Sequence, residues 1–296
     1  MTLAPQAPIE HVTTSIEGLD NVLKGGLVRG GFYLVQGDPG SGKTTLALQF
    51  IQGRLREGNR CLYVTLTESR RDLENTCRSH GWSLEGLELQ DLTRAGSSLT
   101  DERAASVFHP ADTELSEITG VLLAEVERVK PDYVVFDGLS ELRLLSAEPL
   151  RYRRQLLSMK EYFAQRGTTV ILLDDRSSSF TTFQPESLVG GNIVLERYLP
   201  AYGRARRRLL VTKVRGAQFR EGYHDYEIVT GGVVVHPRLV AGEHQGEVTS
   251  ALYASGIPNL DSMLHGGLNA GPSSRVVEPA FRPPCSIESR LGMPLA

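Results

Sequence analysis

Short apolar runs alternate along this chain with longer segments in which apolar residues recur every third or fourth position. The runs are Phe32-Tyr33-Leu34-Val35-Gln36, Cys61-Leu62-Tyr63-Val64-Thr65-Leu66, Tyr133-Val134-Val135-Phe136-Asp137 and Thr168 to Leu173. Their length and their β-branched and aromatic content predict strands buried on both faces. Between them, Leu46-Ala47-Leu48-Gln49-Phe50-Ile51 predicts a helix with a mostly apolar face. A second helix runs through Leu73 with Ser69 as its N-cap. Leu115, Ile118, Leu122, Val126 and Val129 mark a third, and Pro149 to Gln165 a fourth, with proline at its start. Residues 92–110 are polar and irregular and read as a surface excursion. Strands alternating with helices indicate an α/β fold, a mostly parallel sheet with helices on both faces. After Gly190 the pattern changes. Asn192 to Arg197, Arg208 to Val214, Tyr226 to Thr230 and Val233 to His236 read as strands without helices between them, and Gly231-Gly232 is a hairpin signal. An antiparallel C-terminal edge therefore extends the parallel sheet.

Residues 1–11 hold two prolines and no periodicity and read as a flexible leader. Thr14 to Leu27 reads as a short helix closed by the pair Gly25-Gly26. The same passage returns 241 positions later, where Ile257, Leu260, Asp261, Leu264, Gly266, Gly267, Leu268 and Gly271 repeat Ile16, Leu19, Asp20, Leu23, Gly25, Gly26, Leu27 and Gly30. Such a match in register implies that a second copy of one domain begins here. The copy does not continue, because Glu278 to Cys285 holds no glycine and no lysine where the first copy has Gly37, Gly40, Gly42 and Lys43. The expected organisation is a leader (1–11), one complete domain (12–245) and an incomplete repeat with a disordered tail (246–296). Ile257, Leu260 and Leu264 should then pack on a neighbouring core surface.

Composition changes this picture little. The chain has 296 residues, 40% hydrophobic and 23% charged, with a formal net charge of −3. Globular content fits, and an acidic balance weighs against nucleic acid as a partner. The three cysteines are odd in number and scattered, which suits a reducing, cytoplasmic setting. Cys77 and His80 form a C-x-x-H with no second pair, so no zinc site is read. No apolar run approaches the roughly 18 residues of a membrane helix.

The chemistry concentrates in Gly37-Asp38-Pro39-Gly40-Ser41-Gly42-Lys43-Thr44-Thr45, which fits G-x-x-x-x-G-K-[ST] at every fixed position. A strand precedes it and a helix follows, as a phosphate-binding loop requires. The glycines let backbone N–H groups turn inward on a phosphate, and the helix N-terminus adds partial positive charge. Lys43 would reach the β- and γ-phosphates of ATP and Thr44 would hold Mg²⁺. Asp137, closing an apolar strand, is placed to hold the same metal, usually through water. Glu68 stands just past the second strand, at the start of the helix predicted there. Lys213 and Arg215 stand two apart on a late strand and share a face, where they could reach a neighbour's phosphate as an arginine finger does. Arg151, Arg153 and Arg154, and Arg204 with Arg206 to Arg208, are further basic clusters, read as solvated or as facing a neighbouring subunit.

Thr14 to Asp20, the phosphate loop, Thr65-Leu66-Thr67-Glu68, Ser79-His80-Gly81-Trp82, Asp137 and Lys213-Val214-Arg215-Gly216 together resemble the KaiC-like branch of the RecA superfamily, a family that includes circadian clock proteins. The resemblance covers about Thr14 to Val240. It implies a RecA-like core, hexameric rings with ATP between subunits, Glu68 as general base and a regulatory or signalling role with a protein partner. The family's clock proteins carry two adjacent glutamates after the second strand, whereas Thr67 stands first here. Slow hydrolysis is therefore expected, with two alternatives: an ATP-dependent assembly module that scarcely hydrolyses, or a RecA- or RadA-like DNA-acting ATPase. Kinase activity of the clock-protein type belongs to the second domain and is not favoured, since that copy lacks its loop.

Overall fold

The computed structural model describes residues 9–93, 110–146, 148–176, 185–239 and 252–269, with backbone alone for 110–117 and 269. The first eight residues, most of the excursion, and the tail containing Glu278 to Cys285 lie outside the described residues. The chain divides into two compact units, residues 1–238 and 239–296.

In the first unit, β1 (His11–Val12), α1 (Leu19–Val22) and β2 (Leu27–Val28) precede the P-loop strand β3 (Phe32–Gly37) and helix α2 (Lys43–Arg56). There follow β4 (Cys61–Thr65), α3 (Arg70–Ser79), β5 (Glu88–Asp91), α4 (Pro110–Val129), β6 (Tyr133–Asp137), α5 (Leu139–Leu144), α6 (Pro149–Arg166) and β7 (Thr169–Asp175). The unit closes with β8 (Gly191–Tyr198), β9 (Arg206–Val214), β10 (Tyr223–Val229) and β11 (Gly232–His236). Nine strands form one sheet in the order β11-β10-β9-β8-β3-β7-β6-β4-β5.

Side chains alternate across β3, which splits the core in two. Tyr33 and Val35 join the cluster under α2 and α3, with Leu46, Phe50 and Leu73. Phe32 and Leu34 join the cluster under α4, α5 and α6, with Leu122, Leu142 and Phe163. The central strands β3, β4, β6 and β7 are therefore buried on both faces, as a covered parallel sheet demands. Ser69 caps α3: its hydroxyl accepts from the Asp72 amide and the Asp72 carboxylate accepts from the Ser69 amide.

Three features depart from the sequence reading. β8 runs parallel to β3, so the antiparallel edge begins one strand later than expected, at β9. Residues 176–190 carry the chain back across the sheet with only a short 3₁₀ turn (Pro185–Ser187) among the described part, so no helical periodicity announced the crossover. The passage from Thr14 to Leu27 holds only four helical residues inside a two-stranded ribbon, in which His11 pairs with Val28. Gly26 lets the ribbon close at φ 110°; a Cβ there would stand 2.1 Å from the Val12 carbonyl oxygen.

Residues 252–269 repeat the ribbon of this passage and two of its side-chain bonds. β12 (Leu252–Tyr253) pairs with β13 (Leu268–Asn269) around α7 (Pro258–Met263). The Ser255 amide donates to Asp261 at 2.7 Å and the Ile257 amide to the Ser255 hydroxyl at 3.2 Å. Thr14, Asp20 and Ile16 make the same two bonds at the same lengths. The packing differs. Leu19 and Val22 are buried in α1, whereas α7 buries none of its residues and Leu264 is exposed.

At the antiparallel edge, His224 on β10 is buried. Its Nδ1 accepts from the Arg238 amide at 2.9 Å, so Nε2 carries the proton and donates to the Arg220 carbonyl at 3.1 Å. Burial lowers its pKa; the bond to Arg220 opposes this, and the charges of Arg238 and Arg220 add to the lowering. The unfolded chain thus takes up this proton first as pH falls through about 6.5, and stability is lost below that pH. Urea midpoints of the wild type should fall between pH 7.5 and 5.5, by no more than about 1.4 kcal/mol per unit from this group. His224→Gln should show the shallower slope; an equal slope would assign the effect to another group.

Candidate functional site

Four neighbouring parallel strands end at one level. Gly37 pairs with Asp175, Leu173 with Asp137, and Asp137 with Thr65. Their C-terminal ends open on a pocket of about 380 Å³, the position where open α/β sheets take ligands. The phosphate loop forms its floor. Gly42 is left-handed at φ 98°, where a Cβ would press within 2.5 Å of the Ile228 side chain. No side chain caps α2, so its first amides are open to an anion. The Tyr226 hydroxyl donates to the Ser41 carbonyl at 2.5 Å and fastens the loop to β10.

Lys43 Nζ donates to the carbonyls of Gly37 (2.8 Å) and Asp38 (3.3 Å) and pairs with Asp175 Oδ1 at 2.6 Å. Thr44, next on α2, places its hydroxyl 3.2 Å from both Glu68 Oε1 and Asp137 Oδ2. One hydroxyl proton serves one of these carboxylates at a time. Asp137 is buried and also accepts from the Tyr63 hydroxyl at 2.6 Å (Oδ2) and from the Thr67 hydroxyl at 3.4 Å (Oδ1). Burial pushes its pKa up, and the bonds from Tyr63 and Thr44 hold it back. Glu68 is likewise raised, first by burial and then by the charge of Asp137. Thr65 sets the turn that carries Glu68, exchanging hydrogen bonds with the Glu68 backbone at 2.9 and 3.0 Å. Behind the pocket, Asp174 is pushed up to about 6 by burial, opposed by Arg143, with which it pairs at 2.6 Å.

Lys43, Thr44, Glu68 and Asp137 thus converge in one pocket with Pro39 and Gly40. Lys213 and Arg215 stand elsewhere. β9 runs antiparallel to β8, and Lys213 lies opposite Asn192 while the loop's Gly37 lies opposite Leu195. Three residues of strand put Lys213 about 10 Å down the sheet from Gly37. Lys213 Nζ donates to the Glu186 carbonyl at 2.8 Å, and Arg215 to that of Ser187 at 3.3 Å. Tyr63, Arg143 and Asp175 had no role in the sequence reading. For Asp175 a signal existed: it ends a buried strand, as Asp137 does.

Oxygen donors for a metal are few. Among the described residues no group of three or more His, Cys, Asp or Glu is arranged to hold an ion. The Thr44 hydroxyl and the Asp137 carboxylate suit a hard cation whose remaining ligands are phosphate and water, which is how magnesium usually binds. Among the described residues, too, no helix is long and apolar enough to cross a membrane.

A family model described as "ATPase: KaiC" matches residues 12–240. A UPF0273 protein of Methanopyrus kandleri is 32% identical over 250 residues, covering 81% of this chain and 97% of that protein. The circadian clock oscillator protein KaiC of Thermosynechococcus vestitus is 27% identical over 265 residues, covering 88% of this chain and 50% of that one. This chain therefore spans about half the length of the KaiC proteins it matches. Among solved structures, a KaiC-like protein of Pyrococcus horikoshii superposes with a TM-score of 0.62 at 27% identity, covering 78% of this chain and all of that one.

Proposed function

Because this chain belongs to the KaiC family of ATPases, we propose that it binds Mg-ATP in the pocket above Gly37 and hydrolyses it slowly, as an oligomer with a regulatory or signalling role. The convergence of Lys43, Thr44, Glu68 and Asp137 at the C-terminal ends of β3, β4 and β6 carries this reading. The loop amides and Lys43 hold the β- and γ-phosphates. Thr44 and Asp137 hold the metal, which when bound neutralises phosphate charge. Glu68 takes the proton of the attacking water; a carboxylate with a raised pKa is the better base for it. Thr67 contributes only a hydroxyl directed at Asp137, which fits a slow rate. That contact also favours the second reading, a module that assembles on ATP and scarcely turns it over.

Lys213 and Arg215 are anchored away from their own pocket, so a role at phosphate requires a second copy, such as the next subunit of a hexameric ring. A mixing experiment tests this. Arg215→Ala and Lys43→Ala should each be inactive alone. In a random equal mixture, half the fingers and half the loops are intact, and about a quarter of wild-type turnover should return. No recovery, with subunit exchange verified, would remove the finger from this reading. Absence of nucleotide binding by the wild type would remove the reading itself.

A further inference from the structure

Tyr63 is a phenol in the middle of a buried strand, and its ring is fully enclosed. A buried hydroxyl needs a partner, and the one it has is Asp137 Oδ2, at 2.6 Å. Short donation to a carboxylate is the strong class of hydrogen bond. The two carboxylate oxygens are therefore unlike. Oδ2 is shared by Tyr63 and Thr44, whereas Oδ1 has Thr67 at 3.4 Å. The phenol cannot turn to water, because nothing around its ring is open. Thr67 is at the pocket rim and can turn. We infer that Tyr63 is a positioning residue: it fixes the Asp137 carboxylate by one oxygen and so presents Oδ1 as the oxygen offered to a divalent cation.

The strand order makes this arrangement possible. β4 lies directly beside β6, with Thr65 opposite Asp137 and Tyr63 opposite Val135. Tyr63 thus sits one step below the carboxylate it holds, on the same strand as Thr65, which shapes the Glu68 turn. One strand consequently supports both the metal-side acid and the proposed base. The pocket also concentrates acid: Glu68, Asp137 and Asp175 face it together with the single lysine Lys43. A carboxylate among like charges turns away from them unless held, and Tyr63 supplies the hold.

This assignment rests on the metal–nucleotide reading of the pocket, and its test separates the two. Tyr63→Phe keeps the ring and removes one oxygen. Affinity for a fluorescent ATP analogue is measured by anisotropy with EDTA and then with saturating Mg²⁺, for the wild type, Tyr63→Phe, Asp137→Asn and the double variant. In the wild type, Mg²⁺ should tighten binding; no tightening would sink the metal–nucleotide reading and this assignment with it. Tyr63→Phe should bind within about twofold of the wild type in EDTA and lose about tenfold of the Mg²⁺ gain. In the Asp137→Asn background the same change should have no further effect, since Tyr63 acts through that carboxylate. A full Mg²⁺ gain in Tyr63→Phe, equal losses with and without metal, or additive effects in the double variant would each overturn the assignment. A second measurement leaves Tyr63 in place. The ultraviolet Raman tyrosine doublet should report the loss of one strong phenol donor on going from wild type to Asp137→Asn, and an unchanged doublet would also overturn it.

Discussion

Lys43→Ala is expected to abolish ATP turnover and weaken nucleotide binding about a hundredfold, the loss of one or two charge-assisted hydrogen bonds. The structure adds a second cause in the same direction. Lys43 is paired with Asp175 at 2.6 Å. Without the lysine, Asp175 loses that cation and its negative charge faces the incoming phosphates, beside Asp137 and Glu68 in the same pocket. Calorimetric titration with Mg-ATP measures the affinity, and a phosphate-release assay the turnover. The charged partner Asp175 is 36% exposed, so the melting temperature should move little. Nucleotide affinity within threefold of the wild type would mean that the loop amides do the binding alone. It would also withdraw Lys43 from the site.

Glu68→Gln is expected to separate binding from chemistry. Its amide oxygen can still accept from Thr44, as Glu68 Oε1 does at 3.2 Å, so the shape of the pocket is kept. What disappears is the capacity to take a proton. General-base removal lowers rates by about 10²–10⁴. Affinity for Mg-ATP should hold or improve, because one of two adjacent negative charges has gone. Single-turnover kinetics on preformed complex would isolate the chemical step. If the rate stayed within threefold, another carboxylate would be taking the proton. Asp175 would be the next to replace, since it faces the same pocket from β7.

Much of this pocket could be read before any coordinates, and the parts that could not share one cause. The loop from Gly37 to Thr45 is contiguous, so its pattern survives in one dimension. Asp137 was legible because an acid closing an apolar strand is a local signal, and Ser69 because a cap and its helix are neighbours. Tyr63 was illegible. The alternation of β4 says that it is buried, but its contact with Asp137 depends on β4 lying beside β6 rather than beside β3. Strand order in a parallel sheet is set by crossover packing, and no residue in the strand carries that information. β8 failed in the same way: its composition fits a strand of either direction, and the crossover before it has no helix among its described residues. α5 (Leu139–Leu144) was missed because six residues are too few to display a helical period. The repeat was legible because it is a match within the sequence, and residues 252–269 pair their strands as residues 11–28 do.

The repeat has a consequence for how the chain acquires its shape. Residues 252–269 keep their ribbon, turn and internal bonds while their helix buries nothing. That conformation is therefore written within the stretch itself, in pairings that close over short loops and form in roughly microseconds. Residues 11–28 make the same local bonds, to which later segments add the Arg220 amide on the Val22 carbonyl and the Val235 amide on that of Glu17. On a ribosome this passage can take its form before β3 has been synthesised. The catalytic pocket has no such freedom. Its lysine waits for a partner at Asp175, and Thr44 waits for Asp137. During synthesis a nascent chain would already be shaped at one end while still unable to hold a phosphate, and competence would arrive only with the seventh strand.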